Sequence, residues 1–421
     1  MKVLWFTPTP CGASKKLEST TASGGWLSSL EQKLKENKAI ELHVAFYYPK
    51  KIKNFIYNEV HYYPIYDKRQ SSKINLLINN YKEYFWGFEN HNFEELKKII
   101  NKIKPDIIHY HGSEQDYGLL QKEVLNIPSV ISIQGVLNSC YEKLYSGMPL
   151  NLVSKYENIL SKIFLTTAKM NDKRFAYGAK REREILYASK HVIGRTDFDK
   201  HTTLAMAPNA QYHIGNEILR EEFYHHIWTP KESRGDFFTI TSIISSGFYK
   251  GLEVVLRTAI NLKRLNFNFK WIVIGQTESS KDAKIISKWI KKEYIKNNII
   301  MVGKKNASEI IEILKNSDIY CQTGHIENSP NSLCEAMILG MPIIASYAGG
   351  TCSILEHNKE GYLLQDGDSY SLAGALIEIF RNYEKAKVWG KSARDRALKR
   401  HNPSKVSQEY FNIYKTILSS K

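Results

Sequence analysis

Residues 325–346 read HIENSPNSLCEAMILGMPIIAS. The stretch opens as a polar loop, continues as a short amphipathic helix and closes on an apolar run that suits a buried strand, which is a repeat unit of an α/β fold. Ser329 followed by Pro330 is a helix N-cap followed by a proline at the first helical position, with Asn331 as a second cap candidate. The helix is therefore expected to begin at Pro330 or Ser332. Backbone N–H groups of its first turn, reinforced by the helix dipole, make an anion site suited to a diphosphate. Two carboxylates flank that end, Glu327 in the loop and Glu335 about one turn in, with seven residues between them. A carboxylate accepts two hydroxyl hydrogen bonds at once, which suits the vicinal diol of a ribose or a sugar ring. Taken alone, the pair is equally the mark of a capped surface helix with solvated glutamates.

Outward from this stretch, the C-terminal half alternates strand and helix without interruption. FFTITSIIS, KWIVIG, NIIMVG and DIYCQTG read as strands; GLEVVLRTAINLKRL, SKDAKIISKWIKKEY and ASEIIEILKNS read as the helices between them. This is the pattern of a parallel sheet covered by helices on both faces, a Rossmann-like domain. Within it SSGFYKG sets Lys250 between Gly247 and Gly251 just before a helix, a small glycine loop with a cation able to reach a phosphate. A lone lysine at a helix start is more often simply solvated. From about residue 369 the tail carries three helical patterns, the last being VSQEYFNIYKTILS.

The N-terminal half shows the same alternation, with strand-like KVLWFT (2–7), ELHVAFYY (41–48), DIIHYHG (106–112), SVISIQG (129–135) and HVIGRT (191–196). The loop after the first strand lacks GxGxxG, which argues against a dinucleotide-dependent dehydrogenase. Gly24 and Gly25 open the first helix, where paired glycines let a ligand approach the backbone or serve as a plain hinge. Ligand chemistry in such sheets gathers at strand C-termini, and His111, Gln134 and Arg195 each fall at one. The polar stretch HHIWTPKESRGD (225–236) reads as the linker between domains, so residues 1–228 are expected to form one domain, 236–400 a second, and 401–421 a terminal helix.

Composition is that of an ordinary globular chain, 43% hydrophobic and 24% charged over 421 residues. No stretch approaches the roughly 18 apolar residues of a membrane span, and the N-terminal apolar run is too short for a signal peptide, so a cytoplasmic protein is expected. Five widely spaced cysteines without a CxxC pair indicate neither a disulfide framework nor a zinc site. The formal net charge of +16 calls for an anionic partner. Lysines are dispersed and no nucleic-acid motif is present, which excludes nucleic acid as the favoured partner. The basic and aromatic segment Tyr47 to Tyr84 suits the headgroup layer of an anionic membrane or, equally, a solvated and poorly ordered loop region. Two acidic pairs, DFD (197–199) and DGD (366–368), mimic a metal-binding DxD but read as a helix start and a turn, so no metal is expected.

ENSPNSLCEAMILGMPIIASYAGG, extended through EHNKEGYLLQDGD at 356–368, resembles the nucleotide-sugar signature of the retaining glycosyltransferases of family 4, also called group 1. The resemblance implies the GT-B fold: two Rossmann-like domains facing a cleft, with the C-terminal helix crossing back to the N-terminal domain. It implies transfer of a sugar from a nucleoside-diphosphate-sugar to a saccharide or lipid-linked saccharide hydroxyl with retention, without metal or other cofactor, at the cytoplasmic membrane face or in the cytoplasm. Its donor contacts would come from Gly24, Gly25, Lys250, His325, Glu327, Asn331, Ser332, Leu333 and Glu335, with Glu327 on the donor sugar, Glu335 on the ribose and Lys250 on the diphosphate. His111 and Gln134 would present the acceptor. Three departures stand out. Gln134 occupies a place where many members carry histidine, Pro330 one where relatives often have glycine, and Ile244 and Ser245 stand where an arginine usually precedes the lysine; Arg195 is one substitute for that charge. A nucleotide-sugar epimerase of the same fold and a non-catalytic nucleotide-sugar binder are the alternatives.

Overall fold

The computed structural model describes residues 1–17, 25–91, 93–231 and 237–420. The chain divides into two compact units, one made of residues 1–141, 158–218 and 401–421, the other of 142–157 and 219–400.

The first unit is built on an eight-stranded sheet among the described residues: β1 (Lys2–Phe6), β2 (Glu41–Tyr48), β3 (Phe55–Tyr57), β4 (Val60–Tyr66), β5 (Ile107–His111), β6 (Ser129–Ser132), β7 (His191–Gly194) and β8 (Gln211–Ile214). Their order is β3-β4-β2-β1-β5-β6-β7-β8, parallel throughout except for the antiparallel β3–β4 pair. Apolar runs such as VLWF in β1 are buried entirely because helices cover both faces, as parallel sheets require. On one face Trp5, Leu27, Leu30, Phe46 and Tyr62 pack with Tyr410 and Tyr414 of the terminal helix Pro403–Ser419; on the other, Phe6, Tyr110, Tyr117 and Leu186 form a second core. The terminal helix is tied in by polar contacts as well, since the Trp5 indole donates to the Tyr414 hydroxyl at 3.0 Å and His109 Nδ1 meets the same oxygen at 2.7 Å.

The second unit carries β9 (Phe238–Ile243), β10 (Phe269–Ile274), β11 (Ile299–Gly303), β12 (Ile319–Gln322), β13 (Ile343–Ser346) and β14 (Tyr362–Leu364) in the order β11-β10-β9-β12-β13-β14, all parallel. Numbered from its own first strand this is 3-2-1-4-5-6, the dinucleotide-binding order, whose switch point lies between β9 and β12. The first unit repeats the same order around β1 and β5.

Three expectations need correction. The contact boundary falls at 218/219 instead of in the segment 229–235, because the linker-like sequence is anchored: buried Trp228 donates from its backbone to Leu339 O and from its indole to Ser317 O, both at 2.8 Å. Residues 142–157 also count with the second unit. Finally, the segment 47–84 is no loop: it forms β3, β4 and the helix Lys73–Trp86, with Tyr62 and Tyr63 buried. The sequence reading missed those two strands because they are joined by a two-residue turn at Asn58 and Glu59, both with positive φ and neither a glycine.

Candidate functional site

The switch point of the second unit is where its chemistry collects. From β9 the chain passes through Ser245 and Gly247 into a 3-10 turn, Phe248–Lys250, and then the helix Leu252–Arg264. The Asp282 carboxylate braces that loop by accepting from the Ser246 hydroxyl at 3.0 Å and the Gly247 N–H at 2.8 Å. Gly251, at φ 75°, must be glycine: a Cβ there would stand 1.9 Å from Thr323 O of the adjoining strand end. This close approach delivers Lys250 to the loop after β12. Its Nζ donates to both oxygens of Glu327, at 3.0 and 2.9 Å.

Glu327 is held from three further sides. Gln322, the last residue of β12, donates to Glu327 Oε1 at 3.0 Å, and its own Oε1 accepts from the Tyr320 hydroxyl at 2.5 Å and the Ser332 hydroxyl at 3.3 Å. The Gly350 N–H donates to Glu327 O at 2.8 Å, and Gly349, at φ 52°, lies so close that a Cβ would sit 2.0 Å from that oxygen. The glycine pair after β13 is thus the seat of the Glu327 loop.

The helix behind the loop runs Asn331–Leu339, with Pro330 at the N-cap and no side-chain cap. Neither start named from the sequence is right: proline takes the cap position itself, and Ser329 does not cap. The first turn brings Asn331, Ser332 and Leu333 to the same end, with Leu333 fully buried. Asn331 Oδ1 is buried without a hydrogen-bond partner among the described residues.

Glu335 is buried one turn in and is paired bidentately: Arg220 Nε donates to Oε1 at 2.7 Å and Nη2 to Oε2 at 2.6 Å. Burial pushes the Glu335 carboxyl above its ordinary range, with Arg220 opposing the rise. His325 departs from the expected donor contact. Its Nε2 lies 2.6 Å from Glu253 Oε1 and its Nδ1 3.1 Å from Asp366 Oδ2, so both ring nitrogens are already engaged. Burial would lower the imidazole, but the two carboxylates outweigh it and hold the ring above the ordinary histidine value. His325 therefore clamps three segments together, and the two carboxylates favour its protonated form.

In the first unit, the expected acceptor residues stand at strand ends as placed by the sequence. His111 ends β5, stacked on His109 at 3.7 Å and edge-on to Trp5 at 4.4 Å, with both ring nitrogens buried and without hydrogen-bond partners among the described residues. Burial, with His109 and Arg195 nearby, keeps the ring far below the ordinary value, so it is neutral. His109 is likewise lowered to about 3 by burial. Gln134 follows β6. Beside it lies Glu114, which the sequence reading passed over: a Cβ on Gly112 would meet Glu114 Oε2 at 2.2 Å and the Gln134 side chain at 3.7 Å. Burial raises the Glu114 carboxyl to about 7, with Glu182 adding to the rise and the Gly135 N–H opposing it.

Arg195 belongs to this first unit, where its guanidinium sits 4.1 Å over the Trp26 ring and 3.5 Å from Glu217. It is committed there, and Arg220 is the arginine that the second unit itself supplies at its Glu pair. Gly25 is the first residue of the helix Gly25–Leu34; Gly24 lies outside the described residues. Of the DxD-like pairs, Asp199 closes a capping box with Thr196, Asp368 caps the helix Ser369–Arg381, and Asp366 is the partner of His325. Gln322, Glu253, Arg220 and Glu114 went unnamed from sequence, and Asp366 was noted only as part of an acidic turn. The one signal available was position at a strand end, which Gln322 satisfies.

Residues 229–396 match the model of the family described as glycosyl transferases group 1. Among curated proteins, the chain is 27% identical over 173 residues to an uncharacterized glycosyltransferase, MJ1069, of Methanocaldococcus jannaschii, covering 41% of this chain and 43% of that one. It is 29% identical over 136 residues to the amylovoran biosynthesis glycosyltransferase AmsK of Erwinia amylovora, covering 31% and 33%. The chain thus spans about a third to under half the length of these relatives. Among solved structures, Anabaena Alr3699/HepE in complex with UDP-glucose superposes with a TM-score of 0.62 at 14% identity over the full length of both chains, a likeness of fold. The fold is the two-domain GT-B type, and the segment that matches the group 1 model lies in the second unit.

Proposed function

We propose that this protein is a retaining glycosyltransferase that moves a sugar from a nucleoside-diphosphate-sugar to a hydroxyl of a saccharide or lipid-linked saccharide in bacterial surface polysaccharide synthesis. The observation that carries the reading is the Lys250–Glu327 pair, oriented by Gln322 at the β9/β12 switch point beside the start of the helix Asn331–Leu339. A diphosphate arriving at that helix start finds N–H groups and a lysine, and Glu327 is left to hold the donor sugar. Lys250 and the N–H groups would stabilise the charge that grows on the leaving diphosphate, and that diphosphate would take the acceptor proton on the same face. Glu335 would hold the ribose, and His111 and Gln134 the acceptor. No metal is required in this scheme. AmsK, a glycosyltransferase of amylovoran biosynthesis, supports the polysaccharide assignment, and the UDP-glucose held by the Anabaena protein supports the donor class.

The test is incubation with a panel of NDP-sugars, with and without saccharide acceptors. Release of NDP that depends on acceptor supports transfer; a changed sugar without NDP release overturns it in favour of epimerisation.

We further infer peripheral contact with an anionic membrane. The helix Lys73–Trp86 exposes Ile74, Ile78, Phe85 and Trp86, and the neighbouring helix Ile159–Ile163 exposes Ile159 and Leu160. The two are tied by the Tyr81 hydroxyl donating to Ile163 O at 3.0 Å and Asn80 to Phe164 O at 2.9 Å. An apolar surface on a chain of charge +16 fits an acidic headgroup layer. Among the described residues no helix is long and apolar enough to cross a membrane.

A further inference from the structure

The glycines that follow β5 and β6 make room for one carboxylate. A Cβ on Gly112, which sits at φ 96°, would stand 2.2 Å from Glu114 Oε2, and one on Gly135 would stand 3.2 Å from Oε1. The Glu114 side chain thus folds back across both strand ends, and the Gln134 side chain flanks the same glycine, 3.7 Å from that Cβ position. Glu114 and Gln134 are half-buried, whereas His111 is fully buried. The neighbouring Glu182 differs from Glu114 in what it has left to offer. It is fully buried and accepts from the Ser113 hydroxyl at 2.6 Å, the Leu137 and Asn138 N–H groups at 2.9 Å and the Asn138 amide at 2.7 Å. A carboxylate offers about four acceptor positions, so Glu182 is saturated. The Glu114 carboxylate takes two main-chain N–H groups, its own and that of Gly135, and keeps about two positions open.

We propose that Glu114 is an acceptor-binding residue that sets specificity: its carboxylate accepts a hydrogen bond from a non-reacting hydroxyl of the acceptor sugar, with the Gln134 amide as a second contact. The inference rests on the transferase reading above and deepens it. The reacting hydroxyl is not the partner, because its proton passes to the leaving diphosphate and a carboxylate gripping that proton would compete for it. A neighbouring hydroxyl can be held throughout, which fixes the ring while the reaction proceeds. Gln134 alone is a weaker grip, since an amide oxygen is a neutral acceptor. Only the ionised carboxyl accepts in this way. Burial raises Glu114 to about 7, with Glu182 adding to the rise and the two N–H groups and Arg195 opposing it. The other groups around it do not titrate in that range: the Tyr117 phenol is held far above its ordinary value, and Arg181 donates to the Glu114 carbonyl oxygen.

The experiment takes the saccharide that gives the fastest acceptor-dependent NDP release in the panel above, with its single-deoxy analogues, and measures kcat/KM for wild type, Glu114→Gln and Glu114→Asp at pH 6 and pH 8.5. In wild type at pH 8.5, removing one non-reacting hydroxyl should cost roughly tenfold or more, because a carboxylate is then left without its partner. That penalty should shrink at pH 6, where the carboxyl is protonated. Glu114→Gln should lower the parent acceptor to about the level of that analogue and erase the penalty at that position alone. If Glu114→Gln does not fold, Glu114→Asp decides: its shortened side chain should lose the same single penalty. A wild type without such a position, or variants that keep every penalty whatever their overall rate, overturns the role of Glu114. Absence of acceptor-dependent NDP release by wild type overturns the transferase reading on which it rests.

Discussion

The two sheets share one strand order around their switch points yet hold opposite chemistry at their C-terminal edges. The edge of the second unit is ionic: Lys250 on Glu327, Arg220 on Glu335, and His325, its protonated form favoured, between Glu253 and Asp366. That of the first unit is closer to neutral: apart from the Arg195–Glu217 pair it holds two deeply lowered histidines, an amide, and a carboxyl raised to about 7. Topology therefore supplies the location and side-chain charge supplies the ligand. In the proposed reading, fixed, paired charges suit a diphosphate, and neutral donors and acceptors meet sugar hydroxyls without the cost of desolvating a full charge, Glu114 being the carboxyl there that ionises near neutrality.

The sharpest way to break this contrast is to remove the cation from the ionic edge. Lys250→Met is expected to lower turnover by roughly 10²–10³, the range found when one preorganised donor to a developing oxyanion is lost, with acceptor KM little changed. Steady-state kinetics with donor and acceptor varied separately would check it, and a loss confined to acceptor KM would contradict the assignment.

Next in size is the His325 clamp. Its folded value is raised, so its stabilisation is full below the unfolded histidine value near 6.5 and fades as pH rises through the folded value. His325→Gln should thus lower stability by about 3 kcal/mol at pH 6, as for breaking a buried pair, and by clearly less at pH 9. Denaturant unfolding at the two pH values measures this; an equal loss at both would mean the ring is held neutral.

Smaller still is the effect expected at the neutral edge. If the Glu114 carboxylate accepts from an acceptor hydroxyl, kcat/KM for acceptor should rise as pH passes about 7. Glu114→Gln should remove that limb and cost about tenfold above it, one hydrogen bond to a charged group, without altering nucleotide affinity. A pH profile unchanged by the substitution would return Glu114 to a purely structural place. The mildest effect belongs to the outer surface: Trp86→Ala should weaken sedimentation with anionic liposomes at low salt, and no binding of wild type at low salt would refute the peripheral contact.

Much of this was legible in the one-dimensional pattern. Strands such as ELHVAFYY and DIYCQTG announced themselves by apolar runs, and Lys250, Glu327 and Glu335 by their places beside glycines and a proline-opened helix. The β3–β4 ribbon was hidden because its turn residues are not the usual glycine or asparagine-glycine pair, and the boundary at 218/219 because Trp228 is anchored by two long-range hydrogen bonds that leave no local trace. His325 was read as a ligand contact for a similar reason: nothing near it in sequence reveals that Glu253, 72 residues away, and Asp366, 41 away, consume both its nitrogens.

The sequence by itself determined the alternation of elements, the strand ends at which chemistry gathers and the residue types present there, since these follow from local periodicity, capping and backbone allowance. Only the tertiary structure decided which of those groups are paired, charged or neutral. Arg220 meets Glu335 across 115 residues and Lys250 meets Glu327 across 77, and the energy of a buried charge depends on the partner beside it in space.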